Sequence, residues 1–271
     1  MLLQRLVTSV LFILLVVLTL FVFPNWVFAL VTTSIIAIAL YEFYSLIEKK
    51  GILIYKYFGI AAGIMIPLTI YNQFELTKGW ELAFIVGACL SLFLLQFARR
   101  DSSQAIVGVS TTLFGILYVS WFLSFLIKLK LIQDGGFPSG AKIVALLLLV
   151  TKAGDIGAYF IGKAFGKHHL IPRISPKKTV EGAIGGFIFS IAAALLSHLF
   201  MPQIELKHFI ILGFLLGLLA QFGDLTESLI KRDCQVKDAG SLLPGLGGML
   251  DVVDSILFTA PILYFYIKLF V

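Results

Sequence analysis

Apolar residues fill this chain in nine long runs, at roughly 6–23, 27–46, 54–72, 81–98, 105–127, 142–161, 183–201, 208–230 and 250–270. A helix needs about 20 apolar residues to cross the hydrocarbon layer of a bilayer. Each run therefore predicts a membrane span rather than the apolar stripe of a soluble helix. The first two are parted only by Phe23, Pro24, Asn25 and Trp26, a tight turn whose Trp suits the membrane–water boundary. The first run follows a single basic residue, Arg5, and outlasts a signal-peptide core without a small-residue cleavage site, so it reads as a span that is retained.

Composition strengthens this picture. Of 271 residues, 59% are hydrophobic and 13% charged, against about 25% charged in a soluble domain, and the mean hydropathy is +1.01. The expected fold is an all-α integral membrane protein, a polytopic bundle of about nine transmembrane helices. It reads as one domain over 1–271, with N-terminal spans over 1–80, middle spans over 81–161 and a C-terminal region over 162–271. Neither an internal repeat nor a low-complexity tract is evident, which weakens an inverted-repeat transporter. Cys89 and Cys234 fall on different kinds of segment without metal-ligand spacing and read as free thiols.

The formal charge of +6 does not point to nucleic acid. In a membrane protein, basic residues mark cytoplasmic loops and anionic lipid surfaces. With the N-terminus inside, the inner segments hold Arg5, Lys49, Lys50, Lys56, Arg99, Arg100, Lys163, Lys167, Arg173, Lys177, Lys178, Lys231, Arg232 and Lys237, fourteen in all. The outer segments hold six: Lys78, Lys128, Lys130, Lys142, Lys207 and Lys268. This asymmetry predicts a cytoplasmic N-terminus and an external C-terminus. It also puts the two longest inner loops, Gly162 to Gly182 and Lys231 to Met249, on the cytoplasmic face, where loops of such length are usually functional.

Carboxylates gather beside those loops. Asp224, Glu227 and Ser228 stand at i, i+3 and i+4 and share a helical face, and ionisable groups in a span normally face a bundle interior or aqueous cavity. The last span opens with Asp251 and Asp254, after the glycine-rich Pro244–Gly248. Folded toward each other, the two helix ends bring Asp224, Asp251 and Asp254 together. Such carboxylates repel one another, a conflict that Mg²⁺ resolves through hard oxygen ligands and substrate phosphates. For Asp251 the alternative is stabilisation of a helix N-terminus through the macrodipole.

Lys231, Arg232 and Lys237 are candidates to hold phosphate oxygens, or else simple topology markers. In the other loop, Ser175, Lys178 and Thr179 precede Glu181 and Gly182 at a helix N-terminus, a natural anion site. The order of residues is not that of a P-loop. His168 and His169 have no third ligand at zinc spacing and read as interfacial. Asp155 either pairs with Lys152 along one helix or faces the same cavity, contributing to metal or nucleotide binding.

Together these residues resemble a known family. Ser228, Lys231 and Arg232, then Lys237, Asp238 and Gly240, then Pro244, Gly245, Gly247 and Gly248, then Asp251 and Asp254, resemble the C-terminal signature of the phosphatidate cytidylyltransferases. Asp155 with Ala158 and Tyr159, followed by Gly162, Gly166, Lys167, Ser175, Pro176, Lys178, Thr179, Glu181, Gly182, Gly185 and Gly186, resembles the block preceding it. Gln4, Arg5 and Glu42-Phe43-Tyr44 extend the likeness toward the start. The family usually has a His and an Arg where this chain has Leu246 and Val252.

The resemblance implies cytidylyl transfer from CTP to phosphatidic acid, giving CDP-diacylglycerol and pyrophosphate, in a bacterial inner membrane and with a homodimer as the expected assembly. Mg²⁺ on Asp224, Asp251 and Asp254 is the expected cofactor, with room for a second cation. Lys231 and Arg232 complete the expected catalytic group. Ser175, Lys178, Thr179, Glu227, Ser228, Lys237, Asp238 and Asp155 are the expected substrate contacts. Two rivals are a cation-coupled transporter using Asp155, Asp224 and Asp254, and a noncatalytic lipid-binding relative suggested by Leu246 and Val252.

Overall fold

A computed structural model describes the backbone of residues 2–73, 80–132 and 138–271, and the side chains of these except at 2–6 and 81–82. Lys78 and the side chain of Arg5, used above to set orientation, lie outside the described residues. Nine helices are present among them: α1 (Leu2–Phe21), α2 (Asn25–Lys49), α3 (Lys56–Tyr71), α4 (Trp80–Phe97), α5 (105–130), α6 (Gly140–Phe165), α7 (Val180–His198), α8 (Leu206–Asp233) and α9 (Met249–Phe270). Six of these, α2 and α5 through α9, are long and apolar enough to cross a membrane; α1, α3 and α4 contribute shorter apolar helices. The expectation of an all-helical polytopic membrane protein is met.

Close helix contacts run along small residues, as is usual where lipid removes the hydrophobic drive for association. Gly154 and Gly157 on α6 face Ser190 and Phe189 on α7 with no room for a Cβ, and Ser190 Oγ donates to Val150 O at 3.1 Å. On α8, Gly217 meets Ser190 and Gly223 meets the Asp254 carbonyl of α9. These contacts chain α6, α7, α8 and α9 into the half of the bundle that carries the acidic residues. The other half packs around α2, where Tyr44 is fully buried and donates its hydroxyl to Thr112 O at 2.8 Å.

Two local features have no counterpart in the hydropathy pattern. Residues Ile116–Trp121 of α5 form a π-helical turn. There Tyr118 stacks on Phe114 at 5.2 Å and meets Phe258 of α9 edge-on at 6.2 Å, while Ser120 Oγ donates to Gly63 O at 2.6 Å. Such turns are frequent at functional sites. The loop after α6 is an antiparallel hairpin of β1 (His169–Ile171) and β2 (Ser175–Thr179), paired His169 to Thr179 and Ile171 to Ser175.

Candidate active site

The ends of α2, α6 and α8 and the starts of α7 and α9 converge at one end of the bundle. Lys50, just past α2, forms an ion pair with Asp233 of α8. Arg232 Nε donates to Ile174 O in the hairpin at 3.2 Å, and Lys178 Nζ of β2 lies 2.6 Å from Asp224 Oδ2. The two long loops, far apart in sequence, therefore form one surface.

Asp251 is the most heavily bonded carboxylate of the group. Its Oδ1 accepts from Lys231 Nζ at 2.7 Å, and its Oδ2 accepts from the backbone N–H of Gly248 at 2.7 Å and of Ala239 at 3.0 Å. It thereby caps α9 and closes the loop from Ala239 to Gly248. Lys231 also lies 3.1 Å from Glu227 Oε1. Side-chain exposures of 13% for Lys231, 11% for Asp251 and 1% for Glu227 make this a buried triad, not a surface pair. Neither oxygen of Glu227 accepts a hydrogen bond among the described residues.

One helical turn deeper stands a second layer. Asp254 is buried and its Oδ1 accepts from the Ser255 N–H at 2.5 Å. Lys152 Nζ reaches Asp155 Oδ2, Val252 O and Ser255 Oγ, each at 3.1 Å, so the intrahelical Lys152–Asp155 pair exists and also joins α6 to α9. At the turn where the family resemblance leads one to expect an Arg, Val252 offers only its carbonyl, and the cation arrives from α6. Leu246 is half-buried in the tight turn between Leu243 and Gly247, where Gly245 and Gly247 take positive φ. The Tyr118 hydroxyl is also buried without a hydrogen bond among the described residues.

The remaining expected residues divide. Ser228 Oγ approaches Asp224 Oδ1 at 3.5 Å, and Ser175 and Lys178 lie half-buried on β2. Thr179 caps α7, its Oγ1 accepting from the Gly182 N–H at 3.1 Å. Thr179→Ala is expected to cost about 1 kcal/mol, read as a lower unfolding temperature in detergent. Arg232, Lys237 and Asp238 are exposed, the last two on the loop beyond α8. His168 Nδ1 contacts Glu181 Oε1 at 2.7 Å, in keeping with an interfacial role.

The donor set consists of hard carboxylate oxygens, including the buried pair of Glu227, which accepts no hydrogen bond among the described residues and has the Lys231 cation 3.1 Å from Oε1, so the chemistry suits Mg²⁺. The resting geometry is not a formed cage: among the described residues, no three His, Cys, Asp or Glu side chains stand together at ligand spacing. Asp224 follows Gly223, which packs against the Asp254 backbone, whereas Asp251 is occupied by Lys231 and two amides.

One important carboxylate is missing from the sequence-derived set. Glu42, two turns before the end of α2, is 6% exposed, and its Oε2 accepts from the Leu250 N–H at the start of α9 at 2.8 Å. A Cβ at either Gly240 or Gly248 would run into its carboxyl group. Glu42 and Asp251 thus hold the start of α9 from opposite sides. The available signal was an ionisable residue inside an apolar run, which is costly without a partner; its partner lies 208 residues away.

Comparison with known proteins agrees with this geometry. The model of the cytidylyltransferase family matches residues 3–270. The chain is 33% identical over 291 residues to a phosphatidate cytidylyltransferase of Synechocystis sp., covering 98% of this chain and 96% of that protein. It is 35% identical over 281 residues to the phosphatidate cytidylyltransferase of Chlamydia muridarum, covering 96% and 91%. With that of Thermotoga maritima it shares 36% identity over 201 residues, 72% of this chain and 71% of the other. Matched along nearly its whole length and carrying its polar residues at one end of a helical membrane bundle, the chain belongs to the cytidylyltransferase family.

Proposed function

We propose that this chain transfers the cytidylyl group of CTP to phosphatidic acid, producing CDP-diacylglycerol and pyrophosphate, at the cytoplasmic face of a bacterial inner membrane. The observation that carries the reading is the interleaving of carboxylates (Asp224, Glu227, Asp251, Asp254) with cations (Lys152, Lys178, Lys231) at one end of a membrane bundle. One substrate is a lipid and the other a soluble polyanion, so their meeting point has to be such a boundary.

A phosphate oxygen of phosphatidic acid attacks the α-phosphorus of CTP, a new phosphoanhydride bond forms, and the bond to the β-phosphate oxygen breaks with its electron pair leaving on pyrophosphate. A phosphate monoester has its second pKa at about 6, so the nucleophile is ionised near neutral pH without a protein base. Positioning and charge neutralisation remain as the protein's tasks. Asp224 and Asp254, with Glu227 beside them, would hold Mg²⁺, which would supply Lewis-acid neutralisation of phosphate charge, while Asp251, expected from the sequence as a third ligand, caps α9. Lys178, Arg232 and Lys237 are the cations for the triphosphate, with Ser175, Thr179 and Ser228 as neutral donors. Lys231, between Glu227 and Asp251, keeps both side chains in place. The basic residues of the inner segments orient this end toward cytoplasmic CTP.

Purified protein in mixed micelles with Mg²⁺, CTP labelled in its cytosine and phosphatidic acid is expected to yield labelled lipid. Absence of labelled lipid across several phosphate-bearing acceptors overturns the proposal.

A further inference from the structure

The segment from Gly162 to Val180 holds Lys163, Lys167, Arg173, Lys177 and Lys178 and not one Asp or Glu. Adjacent residues of a strand point to opposite faces, and here they divide the cations. Lys178 turns inward onto Asp224, while Lys177 is exposed, as are Lys163, Lys167 and Arg173. The inner face is tied to the site by Lys178 and by the Arg232 bond to Ile174 O. The outer face has no acidic counterpart within the segment; Glu181, one residue beyond it, is taken up by the Lys167 and His168 N–H groups and the His168 ring.

The level at which this outer face sits can be read from its flanks. Tyr159, Phe160 and Phe165 are all exposed on the last turns of α6, and Lys163 Nζ lies 5.7 Å from the centre of the Tyr159 ring. Exposed aromatics mixed with Lys at the end of a spanning helix mark the headgroup layer. The hairpin starts four residues after α6 ends and carries exposed Ile171 beside Arg173, with exposed Val180 opening α7. Basic residues around a few exposed apolar ones are the composition of an interfacial element.

We infer that the outer face of the β1–β2 hairpin binds the anionic phospholipid headgroups of the surrounding bilayer, and that this contact steadies the inner face carrying Lys178. The attraction acts only within about a Debye length of the surface, and each cation there strengthens association about fivefold. The inference does not depend on the proposed reaction.

The test uses the full chain in lipid nanodiscs, without CTP except in one control with neutral discs. A fluorophore is placed on P172C, at the hairpin tip, with Cys89→Ala and Cys234→Ala, and quenching by brominated lipid is compared between neutral phosphatidylcholine discs and discs containing phosphatidylglycerol. Quenching is expected to rise in the anionic discs, to fall with added salt, and to return to the neutral level in the fourfold variant K163Q/K167Q/R173Q/K177Q. Backbone hydrogen exchange over 167–178 in the unlabelled wild type is expected to be slower in the anionic discs, which keeps the test intact if a variant misfolds. Equal quenching and equal exchange in both compositions overturn the inference. So does a response to CTP in neutral discs in place of a response to lipid, which would assign the cations to soluble phosphate.

Discussion

Asp254→Asn is expected to leave a folded protein whose cytidylyl transfer falls by about a thousandfold or more, the scale at which a single electrostatic contact in a site is worth about 4 kcal/mol. The retained fold follows from its few contacts. Asp254 Oδ1 accepts the Ser255 N–H, a bond that an Asn carbonyl oxygen keeps, and the carboxyl group removed is buried at the contact with Gly223, next to Asp224. Losing it relieves repulsion between carboxylates. Asp251→Asn is a poorer test of chemistry. Both of its oxygens accept from Lys231, Ala239 or Gly248, so either orientation of an amide sets an NH₂ donor against another donor. That variant is expected to lose stability by about 2–3 kcal/mol along with its activity. Thermal unfolding in detergent beside turnover separates the two: an Asp254→Asn protein that unfolds like wild type and is inactive fits the account, and one that turns over normally contradicts it.

Lys231→Met is expected to have the largest effect on stability. It leaves the carboxylates of Glu227 and Asp251 buried without their shared cation, and breaking a buried pair by removing one partner costs about 3–5 kcal/mol. Adding Glu227→Gln removes a buried carboxyl group that no longer has a cation beside it and is expected to restore part of the loss. Additive or worse behaviour of the double variant would mean that Lys231 acts through packing of its stem rather than through charge. Although the sequence presents Lys231 as a phosphate ligand or a topology marker, its burial between two carboxylates makes its first task the assembly of the acidic cluster.

Elements that repeat the same physical requirement were easy to read. A span needs an apolar run of fixed length, and all nine expected runs correspond to helices, with α6 and α8 extending about a turn past their runs to Phe165 and Asp233. Features that depend on a particular neighbour were not. The π turn of α5 is held by Ser120 reaching Gly63 and by Tyr118 packing on Phe114 and Phe258; none of these partners is visible in local hydropathy. The hairpin arises in a stretch rich in Gly, Pro and Lys, which reads only as loop. Glu42 was in plain view inside α2, yet its role exists only because Gly240, Gly248 and Leu250 fold against it. For Asp251 both alternatives were legible, and the geometry favours the helix-end role, reinforced by Lys231. Leu246 and Val252 stand out as departures in sequence; the position of Lys152 at Val252 O shows how a cation still reaches that turn.

The most direct test of the central proposal, that this acidic and basic constellation transfers a cytidylyl group to a lipid phosphate, is a paired incubation of wild type and Asp254→Asn with phosphatidic acid, Mg²⁺ and CTP labelled at either the α- or the γ-phosphorus. The account predicts that wild type carries the α-label into the organic phase and leaves the γ-label in pyrophosphate, and that Asp254→Asn does neither. A γ-label in the lipid, or an α-label that never leaves the aqueous phase with wild type, would contradict it.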